Sequence, residues 1–325
     1  MAARDLGRLQ QIAAILIRYG FGDIVRRLGL ASALEKAGRV LRWNETQALI
    51  ELEPPARVRR ALEEMGPTFI KLGQILATRV DLFDAEWIAE FSRLQDSAPT
   101  VPWAEVHAQL SADLGVPPEE VFAAIDPQPL AAASVAQVHR ARLTDGSEVI
   151  VKIRRPGIRP LIEADLRWLM RLAEFAEGES TELRTFHPRD VVRQLTRSLR
   201  RELDFASECR SAERIAENFV DFTDAQAPAD KMSAQKVGAG DTVDDGDSAQ
   251  IPLLPPIVIP RVYWQWTGER VCVQEFIEGI PGRDLAAVDR AGLDRKTLAR
   301  RGAHAVLKMI VEDGFFHADP HPGNI

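Results

Sequence analysis

The sequence predicts an α+β fold, and two kinds of stretch along its 325 residues support this. Apolar residues recur at the three- and four-residue spacing of amphipathic helices in four stretches, 5–30, 56–95, 160–218 and 293–313. Residues 135–153 and 257–279 each contain two apolar runs around a turn signal, which is typical of paired strands. Helices and β-hairpins in one chain of this size indicate the α+β class.

Composition excludes several kinds of protein. The length allows one large domain or two modest ones, and the net charge of −7 argues against nucleic acid as the main partner. The two cysteines, Cys209 and Cys272, form no metal-binding pattern, which favours a reducing, cytoplasmic compartment. No stretch reaches the roughly 18–20 apolar residues that span a bilayer, and the N-terminus has no signal-peptide pattern.

The first helical stretch, residues 5–30, has an apolar stripe with polar residues elsewhere on the helix. The stripe consists of Leu9, Ile12, Ala13, Leu16 and Ile17, and the polar residues include Arg8, Gln11 and Arg18. One interpretation is an amphipathic segment that lies on a membrane or a partner. The other is a helix that packs on its own domain.

Residues 56–95 predict two or three helices, with Gly66-Pro67 marking a helix end and the next start. Lys71 and Gln74 share a face of the second helix because they are three residues apart. Gly73 lies in the helix interior, where glycine costs about 1 kcal/mol relative to alanine, so we expect close packing there. On their own, Lys71 and Gln74 fit a solvated pair better than a functional site.

Residues 99–128 predict a connector around a short helix near 103–113. The small-residue loop 131–134 then leads into a strand, an Asp-Gly turn and a second strand that carries Lys152. Kinases place a glycine-rich loop over the ATP phosphates at this point, and a strand lysine on the phosphates. Alanine permits close backbone approach but disfavours positive φ. A plain hairpin with an exposed lysine is the alternative.

The helical stretch 160–218 carries the acidic residues Glu202, Asp204 and Glu208 on its second long helix. Glu202 and Asp204 are two residues apart, so on a helix they diverge and form no compact carboxylate pair. A kinase pairs its strand lysine with a helical glutamate, and either Glu208 or Glu202 could serve. An ordinary charged helix face is the alternative.

Residues 222–250 are rich in Asp, Ala, Gly, Ser and Thr, which predicts a disordered acidic insertion. The hairpin at 257–279 ends in Glu-Phe-Ile-Glu-Gly, which is similar to the adenine-contacting hinge of a kinase, although a generic hairpin fits nearly as well. The last helix leads into a loop with Asp319 and, five residues on, Asn324. This is the spacing of a kinase catalytic loop, where the Asp orients the acceptor and the Asn binds magnesium.

The order of these signals resembles the UbiB/AarF family of atypical protein-kinase-like proteins, which is linked to ubiquinone (coenzyme Q) biosynthesis. The matching motifs are 71–74, 131–134, 151–152, 202–204 and 317–324. The resemblance implies a bilobal, protein-kinase-like fold with an N-terminal helical extension at 1–98, an N-lobe at 99–280 and the start of a C-lobe at 281–325. The family's second metal-binding Asp would follow residue 325, so we expect residues 1–325 alone to be nearly inactive.

The resemblance also implies ATP and Mg²⁺ as cofactors and a role for each matched residue. It implies nucleotide-site roles for Ala131, Ala132, Ala133, Ser134, Lys152, Glu202, Asp204, Glu208, Glu275 and Ile277. Among these, Lys152 holds phosphates and pairs with Glu208, while Glu275 and Ile277 contact adenine. Asp319, Lys152, Lys71 and Gln74 are the implied catalytic residues, and Asn324 is the implied magnesium ligand. The helix of Lys71 and Gln74 crosses the protein-substrate site, and its polar residues meet Glu202 and Asp204.

The implied activity is that of an ATPase or a small-molecule or lipid kinase that supports ubiquinone synthesis. The implied partners are ATP, quinone-pathway proteins or lipid-like quinone precursors, and a membrane surface, with no nucleic acid. We expect a cytoplasmic protein peripherally associated with the inner membrane, with any membrane-spanning segment beyond residue 325. The alternative is a nucleotide-binding regulator or scaffold with little turnover.

Overall fold

The computed structural model describes residues 3–27, 49, 51–94, 98–179, 184–220, 222 and 257–318. Asp319, Asn324 and nearly all of the predicted acidic insertion lie outside the described residues. The chain divides into two compact units, Met1–Glu208 with Tyr263–Val273, and Cys209–Val262 with Gln274–Ile325. The predicted domain boundaries at 98 and 280 stay predictions.

The helices before the sheet belong to the first unit. They are α1 (Ala3–Arg18), α2 (Gly22–Arg27), α3 (Pro54–Met65), α4 (Pro67–Ala77), α5 (Ala85–Phe91), α6 (Trp103–Leu114) and α7 (Pro118–Val121). The prediction of one helix across 5–30 is wrong, because the chain breaks at Gly20, whose φ of 80° takes it out of the helical region. Residues 28–30 lie outside the described part.

Two further helices of this unit come later in the chain, α8 (Ile158–Glu179) and α9 (Pro188–Glu202), and a third, α10 (Phe205–Asn218), begins there. The prediction of one helix through 201–209 is also wrong, since α9 ends at Glu202 and α10 starts at Phe205. Asp204 Oδ1 accepts a hydrogen bond from the Ser207 amide at 3.1 Å, the capping contact that starts a new helix. Glu202 and Asp204 therefore lie on either side of a helix junction.

The apolar stripe of α1 is buried against the protein itself. Its members Leu9, Ile12 and Ala13 are buried, as are the neighbouring Ile15 and Tyr19, and its members Leu16 and Ile17 are partly buried. Helix α1 packs against α3 and α8. Of the two interpretations of this helix, the structure supports packing on its own domain.

The described strands form one five-stranded sheet, β1 (Phe122–Ile125), β2 (Ala131–Ala132), β3 (Ala136–Leu143), β4 (Glu148–Arg154) and β5 (Val271–Glu275). The order is β1-β3-β4-β5, with β2 also paired to β3, and the pairs of β3 with β1, β2 and β4 are antiparallel. Strand β1 was not predicted; it lies inside the predicted connector.

The strand predicted at 257–264 is absent from the described residues. Val262 forms only an isolated bridge to Gln274, and Trp264–Trp266 forms a 3₁₀ turn. Pro260 lacks the amide hydrogen that a paired strand uses, which accounts for the interruption.

One hydrophobic core of the first unit lies between α6 and one face of the sheet. Its buried residues include Val106, Leu110, Phe122, Val149, Val151 and Val273. Burying each such side chain stabilises the fold by about 1.5–3 kcal/mol. This packed face fixes the position of β4, the strand that carries Lys152.

The described part of the second unit contains α11 (Leu285–Arg290), α12 (Arg295–Leu307) and a π-helical turn, Lys308–Glu312. Asp284 and Asp294 cap α11 and α12 by accepting from backbone amides at 2.9 Å. A small apolar cluster contains Phe219, Phe222, Ala305 and Met309. The other side of this last helical stretch leaves Leu298, Leu307, Ile310 and Val311 exposed. Of the helices that the structure describes, none is long and apolar enough to cross a membrane.

Candidate functional site

Lys152 lies on the side of β4 that faces away from the α6 core. Val149, Val151 and Ile153 are almost fully buried, and the alternation of a strand therefore turns Lys152 to the other face. Its Nζ donates to both carboxylate oxygens of Glu208, at 3.0 and 2.7 Å. The same Nζ lies 4.6 Å from the centroid of the Phe205 ring, and Phe205 is fully buried. The ion pair and the aromatic ring together hold the ammonium in one place.

The junction between α9 and α10 brings Glu208 to Lys152, because Glu208 lies in the first turn of α10. Buried Arg154 fixes this junction by donating to the Leu203 carbonyl at 2.8 Å and to Glu269 Oε1 at 3.0 Å. The hydrogen bond from Arg154 is the main reason that the pKa of Glu269 is lowered. One strand, β4, thus supplies the lysine and also anchors the helix of its partner.

Helix α4 brings Lys71 to the same junction. Lys71 Nζ lies 3.2 Å from Glu202 Oε2. This distance makes an ion pair, yet Glu202 Oε2 is buried and accepts no aligned hydrogen bond within the described residues. Gln74 donates to the Leu94 carbonyl at 3.3 Å.

Gly73 explains how α4 approaches its neighbours so closely. A Cβ atom at this position would lie 2.2 Å from Leu94 Cδ1 and 3.0 Å from Leu62 Cδ1. Glycine therefore allows the close packing that the sequence predicted, since a Cβ here would force the Leu94 side chain to shift. The close approach at Gly73 also holds Leu94 against α4, and the Leu94 carbonyl accepts the hydrogen bond from Gln74.

The alanine-rich loop is a short hairpin. Ala131 and Ala132 pair with Val138 and Gln137 of β3, and the Ala133 amide donates to the Ala136 carbonyl at 2.9 Å. Positive φ angles occur at none of its residues. The loop therefore forms its turn without glycine and with ordinary backbone angles.

Of the remaining predicted site residues, Glu275 and Ile277 belong to the second unit. Glu275 ends β5, and in the second unit its amide donates to the Arg261 carbonyl at 2.9 Å while its Oε2 accepts from the Arg261 amide at 3.2 Å. Ile277 is exposed. Asp319 and Asn324 lie outside the described residues. Within the described ranges, no group of three or more His, Cys, Asp or Glu side chains could hold a metal ion.

An apolar groove of about 530 Å³ lies beside the Lys71 helix in the first unit. It is lined by residues of α4, of the segment after α4, of α8 and of the start of α9, namely Leu72, Leu76, Leu82, Phe83, Leu169, Leu172, Ala173, Ala176, Phe186, Pro188, Val191 and Val192. Its size falls in the range of small-molecule sites. Sequence reasoning missed this groove, because its lining residues come from segments far apart in the chain.

Arg154 and Arg155 are further residues that sequence reasoning missed. They lie two and three residues after Lys152, and Arg154 is a charged residue at the buried end of β4. Charged residues are almost never fully buried unless they are paired. A basic pair at the end of an apolar strand was therefore a weak sequence signal for a buried, paired arginine.

Comparison with known proteins identifies the family. The family model described as "ABC1 atypical kinase-like domain" matches residues 93–237 and 248–325. The chain belongs to the ABC1 atypical kinase-like family. This membership confirms the predicted UbiB/AarF relationship and the α+β, protein-kinase-like fold.

Relatives of this ABC1 chain include proteins named "Probable protein kinase UbiB". Those of Pseudomonas aeruginosa and Pseudomonas fluorescens strain Pf0-1 are 38% identical over 320 and 319 residues, and that of Azotobacter vinelandii is 37% identical over 320 residues. Each match covers 98% of this chain and 54% of the relative. The chain therefore spans about half the length of these curated relatives. A solved complex of Rv3197 with erythromycin from Mycobacterium tuberculosis is 24% identical, with a TM-score of 0.47, over 92% of this chain and 63% of that one.

Proposed function

We propose that this protein binds ATP with magnesium and acts as an atypical kinase-like enzyme, either an ATPase or a kinase of a small molecule or lipid. The observation that carries the proposal is the Lys152–Glu208 ion pair, which joins a sheet lysine to a helical glutamate at 2.7 Å. Kinases need this pair to hold the phosphates of ATP. The pair occurs in a chain whose family is kinase-like.

In this proposal, residues of the first unit have different roles in binding the ATP phosphates. Lys152 contacts the phosphates with a charge-assisted hydrogen bond, and the backbone of residues 131–134 approaches them. Glu208 orients the Lys152 side chain. Glu202 acts in this proposal as the ion-pair partner of Lys71, whose Nζ lies 3.2 Å from Glu202 Oε2. Magnesium would neutralise the charge on the phosphates, with Asn324 as its proposed protein ligand and Asp319 as the catalytic residue.

We further propose that α4 keeps protein substrates away from the site. Lys71 on α4 is paired with Glu202, which holds the helix at the α9–α10 junction. A generic protein substrate such as myelin basic protein should therefore gain no phosphate from the wild-type enzyme. Robust phosphate transfer to that substrate would contradict this part of the proposal.

The proposed biological role is support of ubiquinone biosynthesis, with lipid-like quinone precursors and pathway proteins as partners. The apolar groove beside α4 supports a lipid-like partner, because its lining is almost entirely hydrocarbon. The proposed location is the cytoplasmic face of the inner membrane. Co-sedimentation with anionic liposomes tests the membrane part, and equal recovery in the supernatant with and without lipid would contradict it.

Calorimetric titration with MgATP tests the nucleotide site. Lys152→Ala should weaken binding, since one charge-assisted contact is lost, while Arg140→Ala should not. Arg140 is a suitable control because it is an exposed arginine on the same sheet, paired with Glu148. Equal affinity of Lys152→Ala and wild type would overturn the assignment.

Turnover of ATP separates the enzyme from a scaffold. It should be measured for residues 1–325 and for any in-frame continuation that the genomic DNA encodes. Phosphate release that Lys152→Ala abolishes supports the enzyme. Tight MgATP binding without release in either chain supports the regulator or scaffold instead.

A further inference from the structure

Arg155 ties the alanine-rich loop to the strand that carries Lys152. Its Nε donates to the Ala133 carbonyl at 2.8 Å, and its Nη2 donates to the Pro99 carbonyl at 2.7 Å. Its own amide donates to the Val135 carbonyl at 2.9 Å. Three segments meet at one partly buried guanidinium: the end of β4, the loop and the connector before α6.

A guanidinium suits this position better than a lysine ammonium would. Its planar fork presents several donors in fixed directions, so one group can hold two carbonyls at once. A lysine ammonium is a point charge on a flexible stem, and its contacts fix a direction less well. The connector is tied to the loop a second time, because the Ala98 amide donates to the Ala132 carbonyl at 3.3 Å.

The contact with Arg155 also sets the direction of a loop amide. The chain has no cis peptide bond within the described residues, so the N–H of Ser134 points away from the carbonyl of Ala133 in the same peptide plane. Because that carbonyl is turned toward Arg155, the Ser134 amide is turned away from it. Carbonyl oxygens repel phosphate, and amides attract it.

We propose that Arg155 is a positioning residue for the nucleotide phosphates. It turns the Ala133 carbonyl away from the phosphates and holds the loop at a fixed distance from Lys152, which lies three residues before Arg155 in the chain. This inference rests on the proposed nucleotide site. Arg155 lies outside the matched motifs, and the inference gives it the role of fixing the glycine-free loop 131–134.

The test compares Arg155→Gln and Arg155→Lys with the control Arg140→Gln. Hydrogen exchange without nucleotide should be faster across residues 131–136 in Arg155→Gln and unchanged in the control. The affinity for MgATP should fall about tenfold in Arg155→Gln, as expected for the loss of charge-assisted hydrogen bonds, and less in Arg155→Lys. The affinity for adenosine, which has no phosphates, should stay the same.

Unchanged loop exchange in Arg155→Gln would overturn the tether. An equal loss of ATP and adenosine affinity would overturn the positioning role, because it would report general damage to the site. A wild type that binds neither ligand would overturn both this inference and the proposed nucleotide site. The exchange data separate a failure of the nucleotide site from a failure of the tether, because they test the contacts of Arg155 without any ligand.

Discussion

Lys152 and Glu208 form a two-point contact, in which the lysine Nζ donates to both oxygens of the carboxylate. The glutamate is largely exposed, at 57%, whereas the lysine is 26% exposed. A pair this accessible contributes little to folding, about 0–1 kcal/mol. Its value for the protein therefore lies in the orientation of the lysine.

Glu208→Gln should consequently weaken MgATP binding with little effect on stability. The loss should be smaller than that of Lys152→Met, because the lysine remains and only its orientation suffers. The double variant should bind no worse than Lys152→Met alone, since residues that act as a pair are not additive. Calorimetry on the four proteins checks this, and additive losses would show that Glu208 acts independently of Lys152.

Gly73→Ala should disturb α4 although alanine favours helices. The new Cβ would lie 2.2 Å from Leu94 Cδ1, and Leu94 is buried. Overpacking costs about 1–3 kcal/mol, and the gain in helix propensity offsets about 1 kcal/mol of it. A net loss of about 1 kcal/mol in unfolding free energy is expected.

The matched control for this substitution is Gly7→Ala in α1. A Cβ at Gly7 meets nothing within 4 Å, so the propensity gain should appear alone as a stabilisation of up to about 1 kcal/mol. Urea denaturation measures both variants. A stabilised Gly73→Ala protein would mean that Leu94 moves aside freely.

Asp165 of α8 should be among the most sensitive residues of the first unit. It is fully buried and accepts from Arg8 Nε at 2.7 Å, Arg8 Nη2 at 3.0 Å and Thr68 Oγ1 at 2.8 Å. These contacts tie α1 and the start of α4 to α8. Removing one partner of a buried pair leaves an uncompensated charge, which costs about 3–5 kcal/mol.

Asp165→Asn should therefore lower the unfolding free energy by about 3 kcal/mol. Asp23→Asn is its control, because the Asp23–Arg26 pair is exposed and should cost less than about 1 kcal/mol. The two are compared by chemical denaturation. Equal, small effects would show that water reaches Arg8 and replaces the carboxylate.

Local patterns predicted some of this structure and could not predict the rest. The alternation along β4 was enough to place Lys152 on a strand, and the packing demand at Gly73 followed from its cost in a helix. The α9–α10 break was missed because charged and apolar residues continue through Leu203 and Asp204 without a glycine or proline. The partners Arg8 and Asp165 lie far apart in sequence, and no local period reports such a pair.

His139 provides a prediction about pH. It is fully buried in β3, with Nδ1 2.8 Å from the Asp126 carbonyl and Nε2 3.3 Å from Gln137 Nε2. Nδ1–H donates to the carbonyl and Nε2 accepts from the Gln137 amide group, which requires the neutral ring. Burial is the main cause that lowers the pKa of His139 below its ordinary value of about 6.5.

Stability should therefore fall as the pH drops below about 6.5, because the unfolded chain then binds a proton that the folded protein does not. The loss continues until the pH reaches the lowered pKa of the folded state, with a slope of at most about 1.4 kcal/mol per pH unit from this group. His139→Asn can keep a donor toward the Asp126 carbonyl and cannot titrate. Urea denaturation of both proteins from pH 7.5 to about pH 5 isolates the contribution of His139 as the difference in slope. Parallel curves would mean that the folded protein protonates His139 as readily as the unfolded chain does.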